Sequence, residues 1–250
     1  MEGSAEYPVI SGGGPSPHSI YEAKTTQDHE LGAVGSMGDG RRYVYITNTS
    51  ANILATGNLL VATVPVAGHI ERVMTANAGA VGDKTVSVPT ATTAVSLNQY
   101  AGGYFYLNKV DRPGDIYKVK GNTAVGIGAT TVVTLEAPLH TAFLATAEGS
   151  LRASKFNSPE TSTVLSTPVG APNVDIPAGS VTQQWGWVQC GGPCPLVNSA
   201  AVAIGSGVAQ SATAGAVVIA TAASSVIGTS MQAGVAAGLD YMLTDLNITP

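Results

Sequence analysis

The sequence predicts an all-β fold, a β-sandwich or barrel-like body with an extended N-terminal arm. Three observations predict it. Short runs of β-branched and aromatic residues recur about every ten to fifteen positions, with Gly, Asn, Asp or Pro between them, the spacing of sandwiches and barrels. The 250 residues include 30 Gly and 14 Pro, and no stretch of the first 200 reads as a helix of normal length. Hydrophobic residues reach 44%, yet there are only three Phe and two Trp, so many thin, close-packed strands are expected rather than a bulky aromatic core.

Residues 1–40 read as the arm. Gly12-Gly13-Gly14-Pro15-Ser16-Pro17 suits neither a helix nor a central strand, and Gly32, Gly35, Gly38 and Gly40 continue the pattern. Tyr7, Val9, Ile10, Ile20, Tyr21 and Leu31 are spaced apolar side chains that could dock on another surface; a solvated tail would usually carry more charge.

A β domain is expected over 41–145. Its strands are read at 43–47 (Tyr43-Val44-Tyr45-Ile46-Thr47), 59–66, 70–75, 84–88, 104–108, 115–120 and 131–136. The run from Lys84 to Val88 alternates with period two, as a half-buried strand does. Asp111 and Asp115 flank Arg112-Pro113-Gly114 as a hairpin turn, and Gly121-Asn122 reads as another turn. Residues 96–100 suit a single helical turn. Residues 146–184, with Pro159, Pro168, Pro172 and Pro177, form a loop-rich connection. A second β part packed on the first is expected over 185–250, with strands near 185–189, 195–197, 216–220, 225–228 and 241–248. The Ala/Gly-rich run 199–238 has too many glycines for one long helix; a short turn fits 231–238.

Charge narrows the function. Charged residues make up 11% of the chain, against roughly 25% in an ordinary soluble domain. From Phe156 to Pro250 there is no Lys, Arg or His, and only four acids: Glu160, Asp175, Asp240 and Asp245. Such a stretch has few tools for acid–base chemistry, phosphate binding or nucleic-acid contact. No basic patch forms anywhere, so no nucleic-acid partner is expected. The N-terminus shows no apolar signal run, and the longest apolar stretch, 200–223, is broken by polar residues, so no membrane span is expected.

The search for chemistry is mostly negative. The sequence lacks a GxSxG nucleophile, a phosphate-cradling GxxxxGK[ST] and a HExxH pair. His18, His29, His69 and His140 are far apart, and a His69–His140 metal pair has no spacing to favour it. Asp111 and Asp115 beside Tyr104, Tyr106 and Tyr117 resemble a glycosidase pair only if they face one groove. Asp39 and Asp83 lie in Gly-rich turns without an EF-hand pattern. Cys190 and Cys194 in CGGPC match neither a zinc nor a redox spacing; free thiols are preferred over a local disulfide across a Gly-Gly-Pro turn. Sequons stand at Asn48 and Asn247. No catalytic residue, cofactor or metal is expected, and the chain is read as a non-enzyme. Trp185 and Trp187 share one strand face, with Gly186 leaving the other bare; they are either a small aromatic core or subunit-interface anchors.

Taken together, 98–104 (NQYAGGY), 115–120 (DIYKVK), 133–139 (VTLEAPL) and WGWVQ at 185–189 followed by Gly192-Pro193 resemble the head decoration, or cement, proteins of tailed bacteriophages. The resemblance spans roughly residues 40–250; the two cysteines and the long arm depart from it. It implies a virion protein on the outer surface of an icosahedral capsid, made in the bacterial host cytoplasm, with the major capsid protein as partner and a homotrimer as its common state. It carries no catalytic residues. Many identical capsid sites would provide avidity without any single strong contact, and deletion of residues 1–40 is expected to weaken capsid binding. The alternatives are a phage tail tube or fibre subunit, although no repeat of fixed period is present, and a carbohydrate-binding β protein.

Overall fold

Strand alternation in the sequence becomes two separate sheets in the computed structural model, which describes residues 7–11, 14–75, 77–161, 163, 165–235 and 240–250. Gly12 and Gly13 of the arm, and the end of the turn expected over 231–238, lie outside the described residues. The chain divides into two compact units: Met1–Thr63 with Lys155–Pro250, and Val64–Ser154. In chain order the first unit supplies β1 (Val9–Ile10), β2 (Ala23–Lys24), β3 (Val34–Ser36), β4 (Arg42–Asn48) and β5 (Leu60–Val61). The second supplies β6 (Arg72–Val73), β7 (Thr85–Pro89), β8 (Tyr104–Lys109), β9 (Ile116–Asn122), β10 (Thr130–Leu135) and β11 (Glu148–Arg152). The first resumes with β12 (Pro168–Pro172), β13 (Gln184–Asn198), β14 (Gly207–Gln210), β15 (Val217–Ile219), β16 (Gly228–Ser230) and β17 (Asp240–Asn247). One 3-10 turn, Ala67–His69, is the only regular helical element among the described residues. The fold is all-β.

The first unit is organised around β13. Its N-terminal half pairs antiparallel with β4, and its C-terminal half with β17. The ladder then runs from β13 through β15, β14 and β16 to β17, and the β13–β17 pairing closes the ring into a five-stranded barrel. Closure removes the open edges that a sheet of neutral strands would present to other chains. Val44, Ile46, Val188, Cys190, Leu196, Met242 and Leu246 belong to the main core cluster of this unit.

β4 and the start of β13 are buried on both faces. Val44 and Ile46 join the main core, whereas Tyr43 and Tyr45 join a second cluster with Ile20, Trp185 and Trp187. Residues of the expected arm cover that second face. β1 pairs with β3, β3 with β4, and β2 with Trp185 and Gly186 of β13. The segment is therefore a layer of the first unit. Three strands of two or three residues carry no readable periodicity, which is why the sequence shows them only as Gly/Pro-rich chain.

The second unit is one antiparallel sheet in the order β6-β11-β8-β9-β10-β7. Its alternation is as clean as the sequence predicts. Phe105, Leu107, Tyr117, Val119, Val133, Leu135, Val86 and Val88 fill one face with Met74, Tyr100 and Phe143 around them. The expected hairpin at 111–115 joins β8 to β9.

Several expectations are corrected. The divisions expected at 40, 145 and 184 follow composition, but the units part at 63–64 and 154–155, with the second inserted in the first. Pairing of β4 with β13, far along the chain, decides this, and local composition does not encode it. CGGPC is not a turn; β13 runs straight through it, with a register shift against β4 between Gln189 and Gly191. Gly121 and Asn122 continue β9. The connection 146–184 contains β11 and β12, and the strands read at 59–66 and 70–75 shrink to two residues each.

Candidate functional site

The outer face of the second sheet carries exposed aromatic and aliphatic side chains beside cationic ones. Because β8 and β9 alternate, Tyr104, Tyr106, Ile116, Lys118 and Lys120 point away from the core. The register sets Tyr104 opposite Lys118 and Tyr106 opposite Ile116, and β11 adds Arg152 opposite Tyr104. Tyr104 is 42% exposed and Ile116 58%. Beyond them, β10 and β7 present Val132 among Thr130, Thr134, Thr85 and Ser87. An aromatic and aliphatic centre with Lys and Arg at its margin has the make-up of a protein-binding patch, in which Tyr and Arg are enriched. Lys118 meets Glu136 at 3.2 Å on this surface, an exposed pair that contributes little to stability.

The carboxylates near this face serve the scaffold. Asp111 Oδ2 accepts the amide hydrogen of Leu144 at 2.6 Å, and Asp115 Oδ2 accepts the Thr141 hydroxyl at 2.5 Å. Both tie the 141–144 loop down instead of facing one groove. His69 and His140 take separate partners. His69 Nε2 donates to the Thr93 carbonyl and Nδ1 meets the Tyr100 hydroxyl, while His140 Nδ1 meets the Tyr117 hydroxyl at 2.8 Å. Among the described residues no group of three or more His, Cys, Asp and Glu could hold a metal ion. Asp39 binds its own neighbour, Arg41, at 2.7 Å, and Asp83 accepts the amide of Ala80.

In the first unit, the sequence-predicted contact residues separate. Trp185 and Trp187 are buried by the chain itself, Trp187 to 1% exposure, and so form a small aromatic core. Ile20 is wholly buried there; Ile10 and Leu31 pack against it half-buried. Tyr7, Val9 and Tyr21 stay exposed. The face bared by Gly186 is filled from within: a Cβ there would sit 2.8 Å from Ile176 Cδ1.

The same cluster holds two histidines. His18, fully buried, donates from Nε2 to the Glu22 carbonyl at 2.9 Å, so Nδ1 accepts from the Tyr45 hydroxyl at 3.0 Å. Asp28 lies 3.5 Å from that ring and binds Lys24. His29 Nε2 meets Ser16 Oγ at 2.7 Å, and its ring packs on Tyr45 and Trp187. Burial lowers the pKa of both histidines below 6.5, Lys24 adding to the effect and Asp28 opposing it. Burial also pushes the Tyr45 hydroxyl up to about 12. A depressed histidine pKa means that the unfolded chain takes up protons first as pH falls. Stability from this source is therefore complete above about pH 6.5 and declines as pH drops through the unfolded and then the folded pKa. Urea unfolding followed by tryptophan fluorescence should show the first unit weaker at pH 5.5 than at pH 7.5, and His29→Gln should shrink that difference. An unchanged difference in the variant would refute the assignment.

Cys190 and Cys194 are free and fully buried. Four strand residues span about 13 Å, too far for a disulfide. Burial raises both thiols, Cys194 to about 12. The native chain should react with a thiol reagent at least about a hundredfold more slowly than the urea-unfolded chain, because the thiolate forms only on opening; rapid labelling of either thiol under native conditions would contradict this. The Asn48 sequon is closed: the side chain is fully buried and donates to the Asn52 and Pro177 carbonyls.

Sequence reasoning missed the outer face as a surface, although the alternation of 104–108 and 115–120 carries it; only the register shows which side chains stand together. Against known proteins, no family model matches the chain, and no curated protein or solved structure matches it.

Proposed function

We propose that this chain is a structural virion protein that binds the outer surface of an icosahedral phage capsid through the major capsid protein and stabilises the shell. The observation that carries the reading is the open Tyr/Ile/Lys face of the second unit, on which Tyr104 and Ile116 stand exposed on paired strands. The charge-poor first unit supports it too, since residues 156–250 offer no cation and close a barrel. Reduced, buried thiols fit synthesis in a host cytoplasm. A homotrimer would place three such faces on one capsid site and multiply weak contacts.

The test is electron microscopy of particles purified from the source, with mass spectrometry of their proteins. The expected result is this chain as density on the outer shell, with occupancy lowered by Tyr106→Ser combined with Ile116→Asp. Density on the tail instead would favour a tube or fibre subunit, and absence from particles would overturn the reading. Truncating residues 1–40 no longer tests an arm, because it strips the cover from Trp187; Tyr7→Ser with Tyr21→Ser is the usable variant. The exposed Tyr104 favours one other reading, a carbohydrate-binding protein, since an exposed ring can stack on a sugar. Retention on immobilised polysaccharide that Tyr104→Ala abolishes would support it.

A further inference from the structure

The first unit contains a crevice of about 400 Å³. It lies where β13 changes partners: Gly191 stands opposite both Arg42, the first residue of β4, and Asn247, the last of β17. Arg42, Thr229, Asp245 and Asn247 line it, with the backbones of Gly40 and Gly192. The Arg42 guanidinium lies against Gly191, where a Cβ would come 2.5 Å from Nε. So the sequence Cys190-Gly191-Gly192 makes room for the arginine fork.

The two charges of the crevice do not satisfy each other. Among the described residues, the guanidinium makes one hydrogen bond, to Asn247 Oδ1 at a long 3.4 Å, and no ion pair joins it to Asp245. The guanidinium, whose bond to Asn247 is exposed, has five donors matched to a carboxylate. A ligand with a carboxylate alone would meet repulsion from Asp245, and one with an ammonium alone would meet it from Arg42. A molecule carrying both avoids either penalty. The volume suits a small ligand, and Thr229 and Asn247 add neutral polar groups.

We propose that this crevice binds a free α-amino acid, its carboxylate on the Arg42 guanidinium and its ammonium on the Asp245 carboxylate. The site is independent of the capsid reading, which stands or falls on the second unit. The experiment is titration calorimetry of the full chain with the standard amino acids, using acetate and ethylamine as single-charge probes. Saturable binding of at least one amino acid is expected, with neither single-charge probe binding. Arg42→Lys and Asp245→Asn should each weaken it by about tenfold or more. Asp245 is exposed, so Asp245→Asn leaves folding intact and decides the matter if Arg42→Lys does not fold. No saturable binding up to about 10 mM, acetate binding as tightly as the amino acid, or full affinity in Asp245→Asn would each overturn the proposal.

Discussion

Trp187→Ala is expected to destabilise the first unit by about 4 kcal/mol, in the range measured for large aromatic truncations in cores. The indole is buried between layers. It packs edge-on to Tyr45 at 5.0 Å between centroids and touches the His29 ring, and its Nε1 donates to the His18 carbonyl at 3.1 Å. Removing it leaves a cavity beneath the N-terminal segment and takes one of two donors from the His18 carbonyl, which keeps only the Ser16 hydroxyl at 3.0 Å. The segment should then loosen before the barrel does, because β1, β2 and β3 contribute few ladder bonds of their own. Trp185 remains as the fluorescence reporter, since it is the other of the chain's two tryptophans. Urea titration should show a lower midpoint, and hydrogen exchange should rise first across residues 14–37. A loss below about 1 kcal/mol would mean that the indole packs against solvent rather than core.

Asn122→Ala should cost the second unit about 3 kcal/mol, because the side chain is buried and three backbone groups depend on it. Its Oδ1 accepts the Tyr100 amide at 2.8 Å, and its Nδ2 donates to the carbonyls of Ser96 and Thr123. Those bonds hold the turn at 96–100 on the end of β9. The turn in turn seats Tyr100, whose hydroxyl reaches His69. The variant should lose near-ultraviolet tyrosine dichroism and exchange amides quickly over 96–101, with tryptophan fluorescence of the first unit unchanged. Wild-type exchange in that turn would show that it stands without the amide.

Asn122 also shows where local reading ends. Gly-Asn is a common turn signal, and here the pair continues a strand because the asparagine works as a buried bracket for a segment more than twenty residues upstream. Trp185 and Trp187 repeat the lesson. Their shared face was legible from spacing, but whether another subunit or the same chain covers it depends on residues 8–37, whose two- and three-residue strands carry no pattern. The recognition face is intermediate. The alternation of β8 and β9 is local and could be read; the juxtaposition of Tyr104 with Lys118 and Arg152 depends on register across three strands.

The amino-acid order alone determined the all-β class, the half-buried strands of the second unit, the hairpin at 111–115 and the cation-free stretch from residue 156 onward. Each is set by a period of two, a turn chemistry or a composition, and all of these act between near neighbours. The tertiary structure decided the interruption of one unit by another, the unbroken path of β13 through two glycines, the closure of the barrel and the meeting of Arg42 with Asp245 in one crevice. Those features arise from hydrogen bonding between strands up to about 160 residues apart, and such pairings are selected by the whole packed chain rather than by any short run within it.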